Sequence, residues 1–445
     1  MLQVKGSPIF WIISVLGLVG VIFIMLKVTV LEDFVLVPAT QFMIGTPLII
    51  YSMVITLITF VYVGMSVHRE SHSGMSQLLE ATPVPGFVIL LGKVIGIIII
   101  QLLMLVLFVA ASIVFQFISG YTTFDFRLYS YSVFVQAFIP LITWALTSFF
   151  VHITIRNLYL SIFILLIGWM GINGLSSIGI TTYLIRFNEL PRLLYSEFNG
   201  FGFLETSFFM VAFYWLSFGI FLMLLGIFIY RMDDVLSWKD RLKGFASQLH
   251  WKALVLLALP LALMGILGNR IYQGEGQKFS TTRQTIEFEK FKNDFERFSK
   301  LPQPRIASLH AAIDLYPQLR AFECTGYYNI VNASDSSLDT LLIKSGFDEV
   351  TEIHLDAQHD LLLENAFMKV RLIKLKKPLV PGDSLRLNFT IKSKPNSLFE
   401  HNSNVLTNGT YLQHDIFPRL GYSFSEELPL PSDPNAKHRH YQSHD

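Results

Sequence analysis

Charged side chains are scarce in the first 269 residues, which hold 24 Asp, Glu, Lys and Arg against 43 in residues 270–445. Over all 445 residues only 15% are charged and 52% are hydrophobic, whereas an ordinary soluble domain carries roughly 25% charged residues. The first region is therefore expected to face lipid and the second to face water. Net charge is +1, which argues against a broad basic surface for nucleic acid. A single cysteine, Cys324, excludes an intrachain disulfide, and its expected role is that of a small buried apolar residue. No cleavable signal peptide is expected, because the first apolar run follows one basic residue, Lys5, and is too long for a signal core.

Catalytic motifs are missing too. A zinc peptidase needs His-Glu-x-x-His, two ligands one helical turn apart with a Glu base between them. Neither that motif nor its reversed form occurs. There is no Gly-x-x-x-x-Gly-Lys-Ser/Thr to cradle phosphates and no Gly-x-Ser-x-Gly nucleophile elbow. Glu426 and Glu427 are adjacent, so they do not converge as an acid–base pair. The chain by itself is not expected to be an enzyme or to hold a cofactor or metal. His438, His440 and His444 lie in a polar tail without periodicity and are read as part of a frayed terminus.

What is present is a series of uncharged runs near the length of about 20 residues that a helix needs to cross a bilayer. They are Ile9–Leu26, Phe42–Val67, Val94–Ile118, Val133–Val151, Leu158–Ile185, Thr206–Tyr230 and the shorter Ala253–Gly268. With the N-terminus cytoplasmic, nine Lys and Arg fall on inner segments and four on outer ones. That bias places residues 270–445 outside. Few ionisable groups fall within the runs, and His152, near the end of one, is read as interfacial. An ion-coupled carrier is disfavoured, so energy for any transport would come from elsewhere.

Beyond the seventh run, Phe288, Phe291, Phe295 and Phe298 recur at helical spacing between charges. They predict an amphipathic stalk helix that ends before Pro302 and Pro304 and packs on the following domain; the competing expectation is a helix lying on the bilayer surface. Residues 385–392 alternate strictly, with Leu385, Leu387, Phe389 and Ile391 on one side. With turn chemistry at 380–384 and 407–410, they predict a sandwich-like all-β domain.

The polar stretch at residues 68–93, between the second and third runs, carries a recognisable pattern. Arg69-Glu70, Gly74, Leu78-Leu79, Thr82-Pro83 and Lys93 resemble the coupling segment of ABC-2-type exporter permeases. In that family the segment docks on the ATPase subunit. The stretches at 116–130, 194–205, 213–223 and 300–317 resemble bacterial fusions of such a permease to an aminopeptidase-N-like (gluzincin) zinc peptidase. Those at 325–332, 378–389 and 405–422 are similar to that peptidase's N-terminal β-domain.

The resemblance implies a six-span ABC-2-like bundle at 1–250, a seventh span and stalk at 251–300, a β-rich domain at 301–428 and a polar tail at 429–445. It implies a permease component in the bacterial inner membrane, paired with a second permease half or a copy of itself. A separate ATPase subunit, which would bind the ATP, would dock on residues 68–86. The zinc site would lie in a catalytic domain missing here, so peptidase activity does not carry over, and the chain looks like an interior piece of the fusion. The alternatives are a membrane-tethered fragment of a zinc aminopeptidase and a receptor or scaffold that transports nothing.

Overall fold

The computed structural model describes residues 8–31, 34–35, 37–73, 85–155, 157–175, 180, 182–193, 195–197, 200–202, 204–230, 250–275, 281–346, 349–393, 405–406, 409–412 and 414–422. They form two compact units, Met1–Glu275 and Gly276–Asp445. The last apolar helix, Trp251–Glu275, belongs to the first unit.

The first unit is helical. Its elements are α1 (Pro8–Thr29), the antiparallel pair β1 (Val30–Leu31) and β2 (Phe34–Val35), α2 (Thr40–Met43), α3 (Thr46–Ser73) and α4 (Gly86–Ile118). After them come α5 (Phe126–Tyr131), a π-helical turn at Ser132–Ala137, α6 (Phe138–Thr154), α7 (Leu158–Gly174), α8 (Leu204–Ile229) and α9 (Trp251–Glu275). Among the described residues five helical segments are long and apolar enough to cross a membrane: Thr40–Arg69, Gly86–Ile118, Phe126–Thr154, Leu204–Ile229 and Trp251–Glu275. Ser14–Lys27 and Leu158–Ile172 are apolar but shorter. The fifth sequence run thus differs from expectation: its helix stops at Gly174, and residues 182–188 are turns.

Local chemistry explains the helix ends. Asp125 accepts from the Leu128 N–H at 2.9 Å and Asn157 from the Leu160 N–H at 3.0 Å, each capping a helix start. α4 ends at Gly120, where φ is +81°, with Tyr121 N–H donating to the Gln116 carbonyl and Gly120 N–H to that of Phe117. This is a Schellman closure, which needs the left-handed residue that glycine supplies. Pro140 has no N–H to give Gln136, and the backbone widens into the π turn just before it.

Large side chains fill the inside of this unit, among them Tyr51, Ile55, Phe108, Tyr129 and Phe149. Many apolar side chains also point outward, such as Phe163, Ile167 and Leu259, as a lipid-facing surface requires. Internal polar groups tie helices together. Gln101 of α4 donates to Thr59 Oγ1 of α3 at 3.0 Å and to the Leu141 carbonyl of α6 at 3.1 Å.

The second unit starts with α10 (Thr281–Phe295) and a 3₁₀ turn at Glu296–Phe298. Its strands are β3 (Arg305–Tyr316), β4 (Ala321–Val331), β5 (Leu338–Lys344), β6 (Glu349–Leu355), β7 (His359–Asn365), β8 (Val370–Leu379), β9 (Ser384–Ser393), β10 (Val405–Leu406), β11 (Gly409–Thr410) and β12 (Arg419–Leu420). Two four-stranded antiparallel sheets result, ordered β3-β4-β9-β6 and β12-β5-β8-β7. They share one core, in which Cys324, Tyr328, Leu387, Phe389 and Ile391 meet Leu341, Ile343, Ile373 and Leu375. Leu387, Phe389 and Ile391 are buried while Arg386 and Lys392 are exposed, as the alternation predicts. Cys324 is fully buried.

The stalk helix packs on this domain. Phe291 and Phe295 join Leu342, Met368, Val370 and Leu372 in a second cluster. The hairpin expected at 407–410 forms one residue earlier, with Val405 paired to Thr410 and Leu406 to Gly409. The histidine tail and Glu426-Glu427 lie outside the described residues.

Candidate functional site

α3 is a single helix from Thr46 to Ser73. The polar stretch therefore begins as a continuation of a membrane-length helix, and Arg69 and Glu70 sit on its last turns. Arg69 is exposed. Gly74, Leu78, Leu79, Thr82 and Pro83 lie outside the described residues. Lys93 does not open the next helix, as the sequence had suggested. α4 begins at Gly86, after Pro85 in extended geometry (φ −61°, ψ 138°). Lys93 lies two turns inside α4, half-buried, with Nζ 5.9 Å from the centre of the Tyr230 ring just past α8. A Cβ on Gly86 would also stand 3.7 Å from Tyr230. The start of α4 and the end of α8 are thus held at one place.

Where α3 leaves the core, two histidines lock it to α6. His68 is 7% exposed and His152 is 1% exposed. His152 Nδ1 lies 3.4 Å from His68 Nε2, and His152 Nε2 lies 3.0 Å from the Phe60 carbonyl. A carbonyl only accepts, so Nε2 of His152 carries the hydrogen, and in the neutral ring Nδ1 then accepts from His68 Nε2–H. His152 is therefore buried within protein, bonding one helix at two points eight residues apart. Gly64 makes this approach feasible: a Cβ there would stand 2.5 Å from both His152 Cε1 and Leu158 Cδ1.

Sequence reading set His68 in the polar stretch 68–93 and missed this pair. The signal was available, since each histidine is the first ionisable group after a long uncharged run, and Gly64 lies one turn before His68.

Among the described residues no group of three or more His, Cys, Asp or Glu is in position to hold a metal, and nucleophile–base pairs are not among the contacts at this end. A rigid helix emerges from the core, braced at its base by imidazoles. No protein-family profile matches the chain, and no curated protein matches it significantly.

Proposed function

We propose that the chain is a permease component of an ABC-type exporter, in which the segment after α3 docks on a separate ATPase subunit and α3 carries that subunit's motion into the bundle. The observation that supports this reading is the unbroken helix from Thr46 to Ser73, braced against α6 by His68 and His152. A helix clamped at its base turns as a lever, whereas a plain loop would absorb displacement in its own backbone. In this reading α1, α3, α4, the helical segment ending in α6, α7 and α8 are six spans of an ABC-2-like permease half. α9 is a seventh, leading to an extracytoplasmic domain that lacks a peptidase site. The N-terminus is cytoplasmic, in a bacterial inner membrane, and a second permease half or a second copy completes the path.

Affinity purification of the full chain from its native membrane, with mass spectrometry of what accompanies it, tests this reading. The expected result is an ATPase subunit that is lost with Glu70→Ala or Leu78→Ala while the chain itself stays folded. Recovery of the same ATPase with both variants, or of none from the unaltered chain, would remove the coupling role.

A further inference from the structure

Between α7 and α8 the chain enters the helical unit without forming a helix. Residues 182–193 are turns and irregular backbone. The Phe187 ring meets Trp144 of α6 at 4.9 Å between centroids, and Trp215 and Phe218 of α8 at 5.0 and 6.0 Å. Trp144 in turn meets Phe60 of α3 at 5.4 Å. Trp215 and Phe218 lie near the middle of a helix long enough to cross a membrane, and Phe60 and Trp144 lie well within two others, so Phe187 packs deep among the helices.

Irregular backbone at such a depth is tolerated only where protein or a cavity satisfies it. Asn188, in the left-handed region at φ 55°, bends the chain and donates from Nδ2 to the Pro140 carbonyl at 3.0 Å. The charges of Arg186 and Glu189 pair with each other. The segment is thus a wedge whose tip is aromatic and whose shoulders are neutralised.

Its rim is held from α9. Glu275, the last residue of that helix and 9% exposed, accepts from the Thr182 hydroxyl at 2.5 Å and from the Tyr183 N–H at 2.7 Å. Beside it the Tyr214 hydroxyl of α8 donates to the Leu184 carbonyl at 3.4 Å. Gly268 lets α9 close on the same place, since a Cβ there would stand 3.1 Å from Tyr214 Cε2 and 3.7 Å from Leu184 Cδ2. Glu275 is also the last residue of the first unit. The chain leaves for the β-domain from the very residue that pins the wedge.

We propose that residues 182–193 form a re-entrant plug in the helical unit and that Glu275 is its latch, so that the end of α9 controls whether the plug stays seated. Turning the last turn of α9 withdraws one carboxylate, and with it the acceptor for two donors at the rim. Neither plug nor latch depends on an ATPase docking at residues 68–86, so the two ideas stand or fall separately.

Ser148 provides the reporter. It lies one turn beyond Trp144 on α6 and is fully buried, and its hydroxyl makes no hydrogen bond among the described residues that a cysteine would lose. The full chain carrying Ser148→Cys, in lipid nanodiscs, is treated with a charged methanethiosulfonate reagent. Modification is read by peptide mass spectrometry, with buried Cys324 as the internal control.

Adding Glu275→Ala is expected to speed labelling at position 148 at least tenfold. Glu275→Gln, which keeps a carbonyl acceptor, should stay within about threefold of the parent, and Thr182→Ala should fall between. Cys324 should remain unlabelled throughout. Equal rates in the parent and Glu275→Ala overturn the latch. Should Glu275→Ala fail to fold, as loss of the parental peak on size-exclusion chromatography would show, Thr182→Ala decides alone, and a parental rate there overturns it equally.

Discussion

His152 of α6 stands between two points of α3, with Nε2 3.0 Å from the Phe60 carbonyl and Nδ1 3.4 Å from His68 Nε2. Gly64 lies on α3 between those points, directly beneath the ring. Ring and missing side chain are complementary, so a change in one should alter the cost of changing the other.

Gly64→Ala is therefore expected to destabilise the helical unit strongly, although alanine is by intrinsic propensity the better helix former by about 1 kcal/mol. The added Cβ would stand 2.5 Å from His152 Cε1, and overpacking of this kind costs about 1–3 kcal/mol. Combining it with His152→Ala should recover part of the loss, making the pair non-additive. Recovery stays partial because Leu158 Cδ1 is equally close. Thermal unfolding of the four proteins in detergent, followed by size-exclusion chromatography, gives the cycle. Strict additivity would mean that the two residues do not share this space.

Gly326 plays the same part in the β-domain. A Cβ there would collide with the His310 carbonyl, which is backbone, and stand 2.7 Å from Phe389 Cζ. Gly326→Ala is expected to cost at least the upper end of the ~1–3 kcal/mol range for overpacked cores. The only cysteine reports it. Cys324 is fully buried two residues away, and burial raises its thiol pKa further, so it reacts only when the domain opens. Pulse labelling in mild urea should show it reacting at least tenfold faster in Gly326→Ala. An unchanged rate would show that the sheet moves aside at little cost.

Much of this was legible in the sequence because period and charge carry it. The alternation through Leu387, Phe389 and Ile391 specified a buried strand face, and the uncharged runs specified most of the apolar helices. The fifth run, Leu158–Ile185, misled because lipid and protein interior select the same apolar residues. Its helix ends at Gly174, and the described residues 182–185 near its end are not helical. The partner of His152 was missed for a related reason: composition reveals a polar group near a helix end but not what it bonds, and here the partner lies 84 residues away. The hairpin at 405–410 slipped by one residue because Asn-Gly favours a turn without fixing which pair brackets it.

The stalk helix separates two kinds of surface. Phe295 is fully buried in the cluster with Met368 and Leu372, whereas Ile286 on the same helix is 57% exposed. Phe295→Ala is expected to cost about 3–5 kcal/mol, and Ile286→Ala should stay within about 0.5 kcal/mol. Urea dependence of Cys324 labelling reads both. A large loss from Ile286→Ala confined to lipid-containing samples would instead favour a helix lying on the bilayer.

Lys344 at the end of β5 should make this domain more stable as pH rises above 8. Burial lowers its pKa to about 8, and the neighbouring positive charge of Arg419, paired with it across β12, acts in the same direction. In the unfolded chain the amine returns to about 10.4. Between those values the unfolded state holds more protons, so stability increases with pH over that window, and below about 8 the cost of the buried charge is present in full. Lys344→Met should therefore stabilise the domain at pH 7, and the gain should shrink steadily from pH 8 to 10. Arg419→Met should shift the start of that decline upward, because it removes the second cause of the depression. Taking each variant's urea midpoint for Cys324 labelling relative to the parent at the same pH cancels the thiol's own titration. A gain that is flat across the range would assign the effect of Lys344→Met to packing and leave the amine with an ordinary pKa.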